Sequence, residues 1–403
     1  MDKARHTIVH VITESGPFGG SQRNTLLTLK GLVRDGYKTE LICGPGGRLI
    51  PETEALGVPV HVLPDLVRQV DPRKDCRALL DLYRLFRARQ YSIVHTHATK
   101  AGFLGRLAAW WARVPGIVHT FHSVPFEMNG NLSSRFYIAL ERLTGRVTHT
   151  LACVGDVLRQ QLAAWKVAPA EKLVTIYSGI EFTHYVAERT PAEMKRQLDL
   201  DDAWPIVGSV GRLCAQKAQH YLVEAVALLR EQYPRLRLLL VGEGELRALL
   251  EQRVRELDLS PHVLLLGERD DIADLLNIFD IYAMSSLWEG VGRALTEAMY
   301  WQLPVVATPV NGVVELIRHE KTGLLVPPRD PRALAAAIAR LASDHQLALQ
   351  LGANAHDRVK EIMDGQRMIA AIEDLYEKLA DREAFTRRDM LLSRNTEERY
   401  RSS

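Results

Sequence analysis

The sequence predicts an α/β protein made of two doubly wound parallel-sheet domains that face each other across a cleft. Short apolar runs of strand length alternate with helix-length segments along most of the chain. The alternation restarts after a polar stretch near the middle, and several predicted strands end in glycine-containing turns. In such folds ligands bind beyond the carboxyl ends of the strands, so the site is expected in the cleft.

Length and composition agree with two globular domains. A chain of 403 residues is long for one hydrophobic core, and its 47% hydrophobic and 25% charged residues are typical of globular proteins. The formal net charge of +2 is too small to indicate a nucleic-acid partner. We predict domains at 1–183 and 204–360, a linker at 184–203, a C-terminal helix at 361–380 that returns to the first domain, and a charged, disordered tail at 381–403.

The first domain begins with a predicted strand followed by two glycines. Gly19 and Gly20 would let a ligand approach the backbone, although many such turns carry glycine for packing alone. Ser21 is predicted to cap a helix that runs to about Asp35. The predicted strands of this domain cover residues 7–13, 38–43, 60–63, 93–97, 117–121 and 150–154.

The second domain repeats this pattern, with predicted strands at 206–210, 237–241, 263–266, 281–284 and 304–308. Gly211 and Gly242 follow the first two of these strands. Arg212 and Lys217 lie at the same predicted edge, where two cations can neutralise a diphosphate. Lys217 is predicted to open a helix, where a cation opposes the helix dipole, so a ligand is favoured over a solvated helix start. For Arg212 the alternative is an interdomain salt bridge.

Two carboxylates bracket a predicted helix start in residues 280–309. Glu289 precedes Gly290 and Gly292, which turn the chain into a helix at about 293–301, and Glu297 lies on that helix. Backbone N–H groups at a helix start bind anions, and an ionised glutamate accepts hydrogen bonds from hydroxyls. Taken alone, such a pair is more often a solvated loop residue and an ordinary helix glutamate.

No metal site is predicted. His95 and His97 point to the same side of one strand, but no third ligand with zinc-like spacing is visible in the sequence. None of the four cysteines forms a C-x-x-C pair, and all are expected to be reduced: Cys43, Cys76, Cys153 and Cys214. The sequence shows no signal peptide or membrane-spanning stretch, so we expect a cytoplasmic protein that can act at the inner face of the membrane.

Several motifs resemble the retaining family 4 glycosyltransferases of GT-B fold, of the type that builds bacterial polysaccharides. In the second half they are GRLCAQKAQHYLVEAVALL (211–229), VGEGE (241–245), LGERDDIADLL (266–276) and Glu289-x7-Glu297. VHTHATKAGFLGRLAA (94–109), VHTFHSVPF (118–126) and KLVTIYSGIE (172–181) are similar to the family's N-terminal half. The motifs follow the family's order and cover nearly the whole chain.

The resemblance implies transfer of a sugar from a nucleotide diphosphate sugar, with UDP or GDP as the nucleotide, to a hydroxyl of a glycan or lipid-linked acceptor. The resemblance further implies that the anomeric configuration is kept, that no metal or other cofactor is needed, and that the product is a cell-surface polysaccharide such as lipopolysaccharide. The second domain would bind the donor and the first the acceptor. A sugar-nucleotide epimerase or hydrolase of the same fold, or a non-catalytic binding module, remains an alternative.

The same resemblance implies roles for individual residues. Arg212 and Lys217 match the pair on the donor diphosphate, and Glu297 matches the carboxylate on the ribose. Glu289 and His122 match residues beside the transferred sugar, although a histidine after a strand is as often structural. The other donor-binding positions are Gly19, Gly20, Gly211, Gly242, Gly290, Val291 and Gly292. Val291 stands where the family usually has phenylalanine, which leaves the identity of the sugar open.

A basic, partly apolar surface is predicted in the first domain, because residues 82–126 contain no aspartate or glutamate. Trp110 and Trp111 lie in the same region. In one interpretation the apolar residues pack on the sheet and the basic residues face solvent, as is usual for a helix that covers a sheet. In the other, the surface binds anionic lipid near a membrane-borne acceptor. The basic residues proposed for such a face are Arg84, Arg87, Arg89, Lys100 and Arg106.

Overall fold

The computed structural model of the protein describes residues 6–13, 19–123, 132–181, 186–289, 292–310 and 312–380. Within these ranges the chain forms one seven-stranded and one six-stranded sheet, with helices between the strands. All named strand pairs are parallel. The predicted tail at 381–403 lies outside the described residues.

The first sheet has the strand order β3-β2-β1-β4-β5-β6-β7. Its strands are β1 (Thr7–Ile12), β2 (Lys38–Cys43), β3 (Val60–Val62), β4 (Ile93–His97), β5 (Gly116–Phe121), β6 (Thr150–Cys153) and β7 (Leu173–Thr175). The helices that connect them are α1 (Gly20–Arg34), α2 (Leu49–Glu54), α3 (Pro72–Arg89), α4 (Thr99–Trp111), α5 (Leu132–Val147) and α6 (Asp156–Ala164).

A short helix, α7 (Pro191–Gln197), precedes the second sheet, which has the order β10-β9-β8-β11-β12-β13. Its strands are β8 (Ile206–Val210), β9 (Arg237–Val241), β10 (Val263–Gly267), β11 (Ile281–Met284), β12 (Val305–Ala307) and β13 (Leu324–Leu325). The remaining helices are α8 (His220–Leu229), α9 (Arg247–Glu256), α10 (Ile272–Leu276), α11 (Arg293–Tyr300), α12 (Val313–Leu316), α13 (Pro331–Ser343), α14 (His345–Ile362) and α15 (residues 365–380).

The structure confirms the predicted α/β architecture and most of its strands. Strands β2, β4, β8, β9 and β11 have the predicted bounds, and most of their residues are buried in the parallel sheets. Strands β7 and β13 were not predicted. They have three and two residues and lie at sheet edges, so their apolar pattern is too short to separate from a loop.

Two local predictions are wrong. Helix α1 has Gly19 at its N-cap, and the Ser21 hydroxyl donates to the Gln22 side chain. Lys217 lies in the turn before α8, outside the helix that it was predicted to open. The predicted linker at 184–203 contains α7, which starts with a capping box between Thr190 and Glu193.

The described cysteines are all free. Cys43, Cys153 and Cys214 are buried and Cys76 is exposed. Burial raises the pKa of the Cys43 and Cys153 thiols to about 12, so both are protonated at neutral pH. Every helix in the described ranges is too short or too polar to cross a bilayer.

Apolar packing joins the two sheet domains and the last helix. One buried cluster contains Phe121 and Leu158 from the first domain together with Leu295 and Leu316 from the second. Helix α15 packs on the first sheet, where its residues Met368, Ile369, Ile372, Leu375 and Tyr376 share a cluster with Ile8, Ile93 and Val118.

A carboxylate from the second domain also holds the first. Glu315 on α12 accepts hydrogen bonds from the backbone N–H groups of Asp156 and Val157, each at 2.7 Å. These residues begin α6, whose N-cap Gly155 provides no side-chain cap. The Tyr177 hydroxyl donates to the same carboxylate at 2.7 Å. Glu315 therefore satisfies the start of a first-domain helix from across the domain boundary, where its charge also complements the helix dipole.

Replacing Glu315 with alanine should destabilise the protein because it leaves the two α6 N–H groups and the Tyr177 hydroxyl without this acceptor. We expect the free energy of unfolding to fall by about 2 kcal/mol, measured by chemical denaturation. The matched control is Glu320→Ala, which removes an exposed ion pair to Arg340 in the same domain and should leave the midpoint near that of the unchanged protein. Equal midpoints for both variants would contradict this role of Glu315.

Candidate active site

A buried ion pair lies at the carboxyl edge of the second sheet. Lys217, in the turn after β8, contacts a carboxylate oxygen of Glu289, in the loop after β11, through its Nζ. The Ser286 hydroxyl donates to the same oxygen at 2.9 Å. The two charged side chains are 20% and 7% exposed. Two sequence-predicted residues that are 72 positions apart are thus brought into direct contact.

Gln216 fixes the two loops that carry this pair. The side-chain amide of Gln216 donates to the Trp288 backbone carbonyl at 2.8 Å. The backbone carbonyl of Gln216 accepts from the backbone N–H of Leu287, also at 2.8 Å. Sequence reasoning did not single out Gln216 or Ser286. Both are polar residues within three positions of a predicted site residue, which is a weak signal that their contacts now explain.

Helix α11 begins beside the ion pair. Gly292 is its N-cap and has a φ of +78°, a conformation that favours glycine, and no side chain caps the helix start. Glu297 is buried on this helix, and the Arg293 side chain donates to it at 3.0 Å. Gly290 and Val291, both predicted donor-binding residues, lie outside the described residues.

The glycines after β8 and β9 allow close packing at the same edge. A Cβ atom on Gly242 would lie 2.2 Å from the Gly211 carbonyl oxygen, so the two turns could not approach as they do with a side chain there. A Cβ atom on Gly211 would lie 3.2 Å from Cε of Lys217. Arg212 is half-exposed, and its guanidinium donates to Glu245 at 3.1 Å.

The start of helix α1 lies at the carboxyl edge of the first sheet. Gly19 is the N-cap without a side-chain cap, and a Cβ atom on Gly20 would meet nothing within 4 Å. The first-turn N–H groups are therefore approachable, and they carry the positive end of a 15-residue helix.

His122 follows β5 and is the end of a series of hydrogen-bonded side chains, which we call the histidine chain. Its members, in order, are Thr120, His95, Tyr376, His10, His97 and His122. The N···O and N···N distances along the chain are 2.7, 2.5, 3.2, 2.9 and 3.2 Å. The sequence pointed to His95 and His97 as a pair and to His122 by itself, but it did not connect them. It also did not reveal Tyr376, which contacts the histidines from α15.

Burial keeps the imidazoles of the histidine chain neutral. Desolvation lowers the pKa of His10 to about 3 and that of His122 to about 4. It holds the pKa values of His95 and His97 well below the usual range, and the neighbouring histidines add to this effect. All four rings are therefore uncharged at neutral pH.

Three of these histidines form a group that could hold a metal ion. His10, His95 and His97 each place a ring nitrogen within 4.8 Å of the others. The sequence did not reveal this group, because His10 comes from a different strand. Each ring nitrogen of the three is already in a hydrogen bond within the histidine chain, so coordination would require those bonds to break.

Of the five basic residues predicted for the membrane-facing surface, three are exposed and two are not. Arg84, Arg87 and Arg89 are exposed on α3. The predictions for Lys100 and Arg106 are wrong. Lys100 is mostly buried against Asp75, and Arg106 is fully buried, where it donates to Glu141 at 2.8 Å. The acidic partners, Asp75 and Glu141, lie on either side of the stretch 82–126, so that stretch alone could not reveal them.

Comparisons with known proteins identify the chain. Residues 19–179 match the family described as glycosyl transferase 4-like domain, and residues 191–358 match glycosyl transferases group 1. A UDP-Gal:alpha-D-GlcNAc-diphosphoundecaprenol alpha-1,3-galactosyltransferase of Escherichia coli is 30% identical over 89% of this chain and 93% of its own length. The capsular polysaccharide biosynthesis glycosyltransferase CapM of Staphylococcus aureus is 24% identical over 78% and 84%.

Solved structures agree on the fold. The crystal structure of Anabaena HepE in complex with UDP and glucose has a TM-score of 0.81 and 23% sequence identity, and the match covers 93% of this chain and all of the other. This chain, which has two parallel-sheet domains and carboxylates at the edge of the second sheet, is therefore similar to glycosyltransferases over most of its length. The chain belongs to the family 4-type glycosyltransferases, which have the GT-B fold.

Proposed function

We propose that this glycosyltransferase moves a sugar from a UDP-sugar to a lipid-linked glycan acceptor and retains the anomeric configuration. The observation that carries the proposal is the buried Lys217–Glu289 pair beside the uncapped start of α11, with Glu297 on that helix. This arrangement provides cationic and anionic groups side by side, as a ligand with both phosphates and hydroxyls requires.

The departing diphosphate needs stabilisation as its bond to the sugar breaks. Lys217 has three N–H donors, so one can stay with Glu289 while another reaches a phosphate oxygen. The N–H groups at the starts of α11 and α1 supply further positive potential from fixed positions. We propose Arg212 as a second cation, which would turn from Glu245 to the phosphates. Groups placed before the reaction stabilise developing charge without reorganisation.

The two carboxylates support transfer rather than glycoside hydrolysis. Glu289 accepts from Lys217 and Ser286, and Glu297 accepts from Arg293. A glycosidase places its two carboxyl groups on either side of one glycosidic bond, whereas each of these glutamates is held by a cation, Lys217 or Arg293. We propose that Glu297 binds ribose hydroxyls and that Glu289 binds the transferred sugar, with Gly19, Gly20, Gly211, Gly242, Gly290, Val291 and Gly292 around the donor.

Relatives support the choice of donor and acceptor. The Escherichia coli relative is named for UDP-Gal and a diphosphoundecaprenol-linked sugar, and the Staphylococcus aureus relative for capsular polysaccharide. We therefore propose UDP over GDP, and a polyprenyl-diphosphate-linked acceptor. We also propose that no metal is required, because side chains and helix N–H groups meet the negative charge.

Purified protein should release UDP from one or more UDP-sugars of a donor panel, and release should be fast only when a bacterial lipid extract supplies the acceptor. Rates with and without EDTA should agree. Equal rates without lipid extract would instead indicate a hydrolase or epimerase. Loss of activity in EDTA that manganese restores would contradict the proposed metal independence. Analysis of the product's anomeric configuration tests retention.

Lys217→Ala should lower kcat about 10²–10³-fold, the usual effect of removing one group that stabilises transition-state charge. Glu297→Ala should mainly raise the donor KM, because the ribose is remote from the breaking bond. The control is Lys321→Ala, which changes an exposed lysine of the same domain. Near-normal turnover by folded Lys217→Ala protein would refute the assignment of Lys217.

We propose further that α3 and α4 contact the inner face of the cytoplasmic membrane. Arg84, Arg87 and Arg89 are exposed on α3, and Trp110 and Trp111 at the end of α4 are 52% and 48% exposed. Tryptophan suits the membrane interface, and each arginine near anionic lipid contributes about 1 kcal/mol. Three arginines would give about 3 kcal/mol, enough for reversible attachment that weakens with salt.

Liposome sedimentation tests this surface. Binding should increase with the anionic-lipid content, decrease at high salt, and fall when Arg84, Arg87 and Arg89 are all changed to glutamine. The matched control changes three exposed arginines of the second domain, Arg235, Arg255 and Arg332, which alters the net charge equally. If both triple variants bind alike, net charge rather than the α3–α4 surface drives attachment.

A further inference from the structure

We propose that the histidine chain holds His122 in the tautomer that carries its proton on Nδ1, so that His122 acts in sugar transfer as a neutral hydrogen-bond donor. Thr120 and Tyr376 are then positioning residues that act through the rings between them. The catalytic part of this inference rests on the proposed function, whereas the tautomer itself does not.

All hydrogen bonds of the histidine chain must be donated in the same direction along it. A neutral imidazole has one N–H donor and one acceptor nitrogen, and a tyrosine hydroxyl has one hydrogen to donate. Both ring nitrogens of His10, His95 and His97 are in hydrogen bonds of the chain. The Tyr376 oxygen could accept from rings on both sides, but its buried hydrogen would then have no partner in the chain, so Tyr376 accepts one of its two bonds and donates the other. With that condition, once one bond has a direction, every other bond follows. Two arrangements therefore exist, one with hydrogens pointing toward His122 and one with hydrogens pointing toward Thr120.

The Thr120 end distinguishes the two arrangements. Thr120 is 7% exposed, and within the described part of the chain its hydroxyl is hydrogen-bonded to Nε2 of His95 alone. If His95 donated this bond, the Thr120 hydrogen would have no partner among the residues that the structure describes. If Thr120 donates it, only a hydroxyl lone pair is unused. Because an unpaired buried donor costs more than an unused lone pair, Thr120 donates.

The direction then passes along the chain bond by bond. Nδ1–H of His95 donates to the Tyr376 oxygen, and the Tyr376 hydroxyl donates to Nε2 of His10. Nδ1–H of His10 donates to Nε2 of His97, and Nδ1–H of His97 donates to Nε2 of His122. His122 is left with its proton on Nδ1. Its Nε2 is occupied, so the ring has no free basic nitrogen.

This result assigns a chemical role to His122. The ring lies at the carboxyl edge of the first sheet and is partly exposed, so Nδ1–H is the group that it can offer to a ligand. A sugar oxygen can accept from it, but an acceptor hydroxyl cannot transfer its proton to it. His122 is therefore a donor to the reacting sugar and not the base that deprotonates the acceptor.

Nitrogen-15 NMR of protein labelled at histidine tests the tautomer directly and needs no substrate. We expect Nδ1-protonated rings at His10, His95, His97 and His122, although histidine in water favours the Nε2-protonated form. Thr120→Ser keeps the hydroxyl and should keep this pattern. Thr120→Asp offers an acceptor alone and should move all four protons to Nε2. An Nε2-protonated His122 in the unchanged protein would overturn the proposal.

Kinetics separate a donor from a base. His122→Ala should lower kcat about 10²-fold, the scale for removal of one such donor. His122→Asn places an amide N–H near the position of Nδ1–H and should lower kcat less than about tenfold, whereas loss of a base would make both variants equally slow. Equal rates for the two variants would refute the donor role.

Variants of the positioning residues need a structural control. Tyr376→Phe cuts the chain, and its kcat should fall about fivefold, the rate effect of one lost hydrogen bond, with the donor KM unchanged. Tyr91→Phe also removes a buried hydroxyl of the first domain, one that donates to Glu40, and should leave both the NMR pattern and kcat unaltered. An equal kcat loss in both variants would indicate general destabilisation and refute the positioning role.

The turnover assay and the NMR measurement can fail independently of each other. If no nucleotide sugar is turned over, the proposed function fails while the NMR pattern still decides the tautomer. If turnover occurs but His122 is Nε2-protonated, the proposed function stands and this inference is wrong.

Discussion

The ion pair between Lys217 and Glu289 is the interaction on which the donor-side architecture depends. Burying two charges carries a large desolvation cost, which is offset only when geometry is good and the remaining polar atoms are satisfied. Ser286 hydrogen-bonds to Glu289, and Gln216 ties the two loops together. The glycine at position 211 leaves space for the lysine side chain. The loops after β8 and β11 are thus organised around one pair of charges.

A similar principle joins the two domains. Glu315 extends from α12 to the start of α6, and apolar side chains from both sheets share one buried cluster around that contact. A movement that separated the sheets would have to break three hydrogen bonds to one carboxylate and expose apolar surface. Arg48 and Asp270 form an exposed ion pair across the same boundary, which contributes less because solvent screens it.

The sequence was informative where one local pattern decides the structure. Strands such as β8 and β11 are mostly apolar because parallel strands are buried on both faces, and that composition predicted their bounds. The capping box at Thr190 was equally local, and α7 could have been recognised from it. The role of Arg106 could not, because its burial depends on Glu141, a partner 35 residues away. The histidine chain needs side chains from three strands and the last helix, so no spacing in the sequence reveals it.

Helix α15 has a consequence for how the protein is made. The first sheet is synthesised before the second, yet five residues of α15 complete its core, and one of the five, Tyr376, joins its buried histidines. Until the ribosome has added those last residues, the first domain exposes apolar side chains and leaves polar rings unsatisfied. Domains usually fold in order from the N-terminus during translation. Here the N-terminal domain can reach its final packing only after the second domain has emerged, and its apolar surface stays uncovered over that interval.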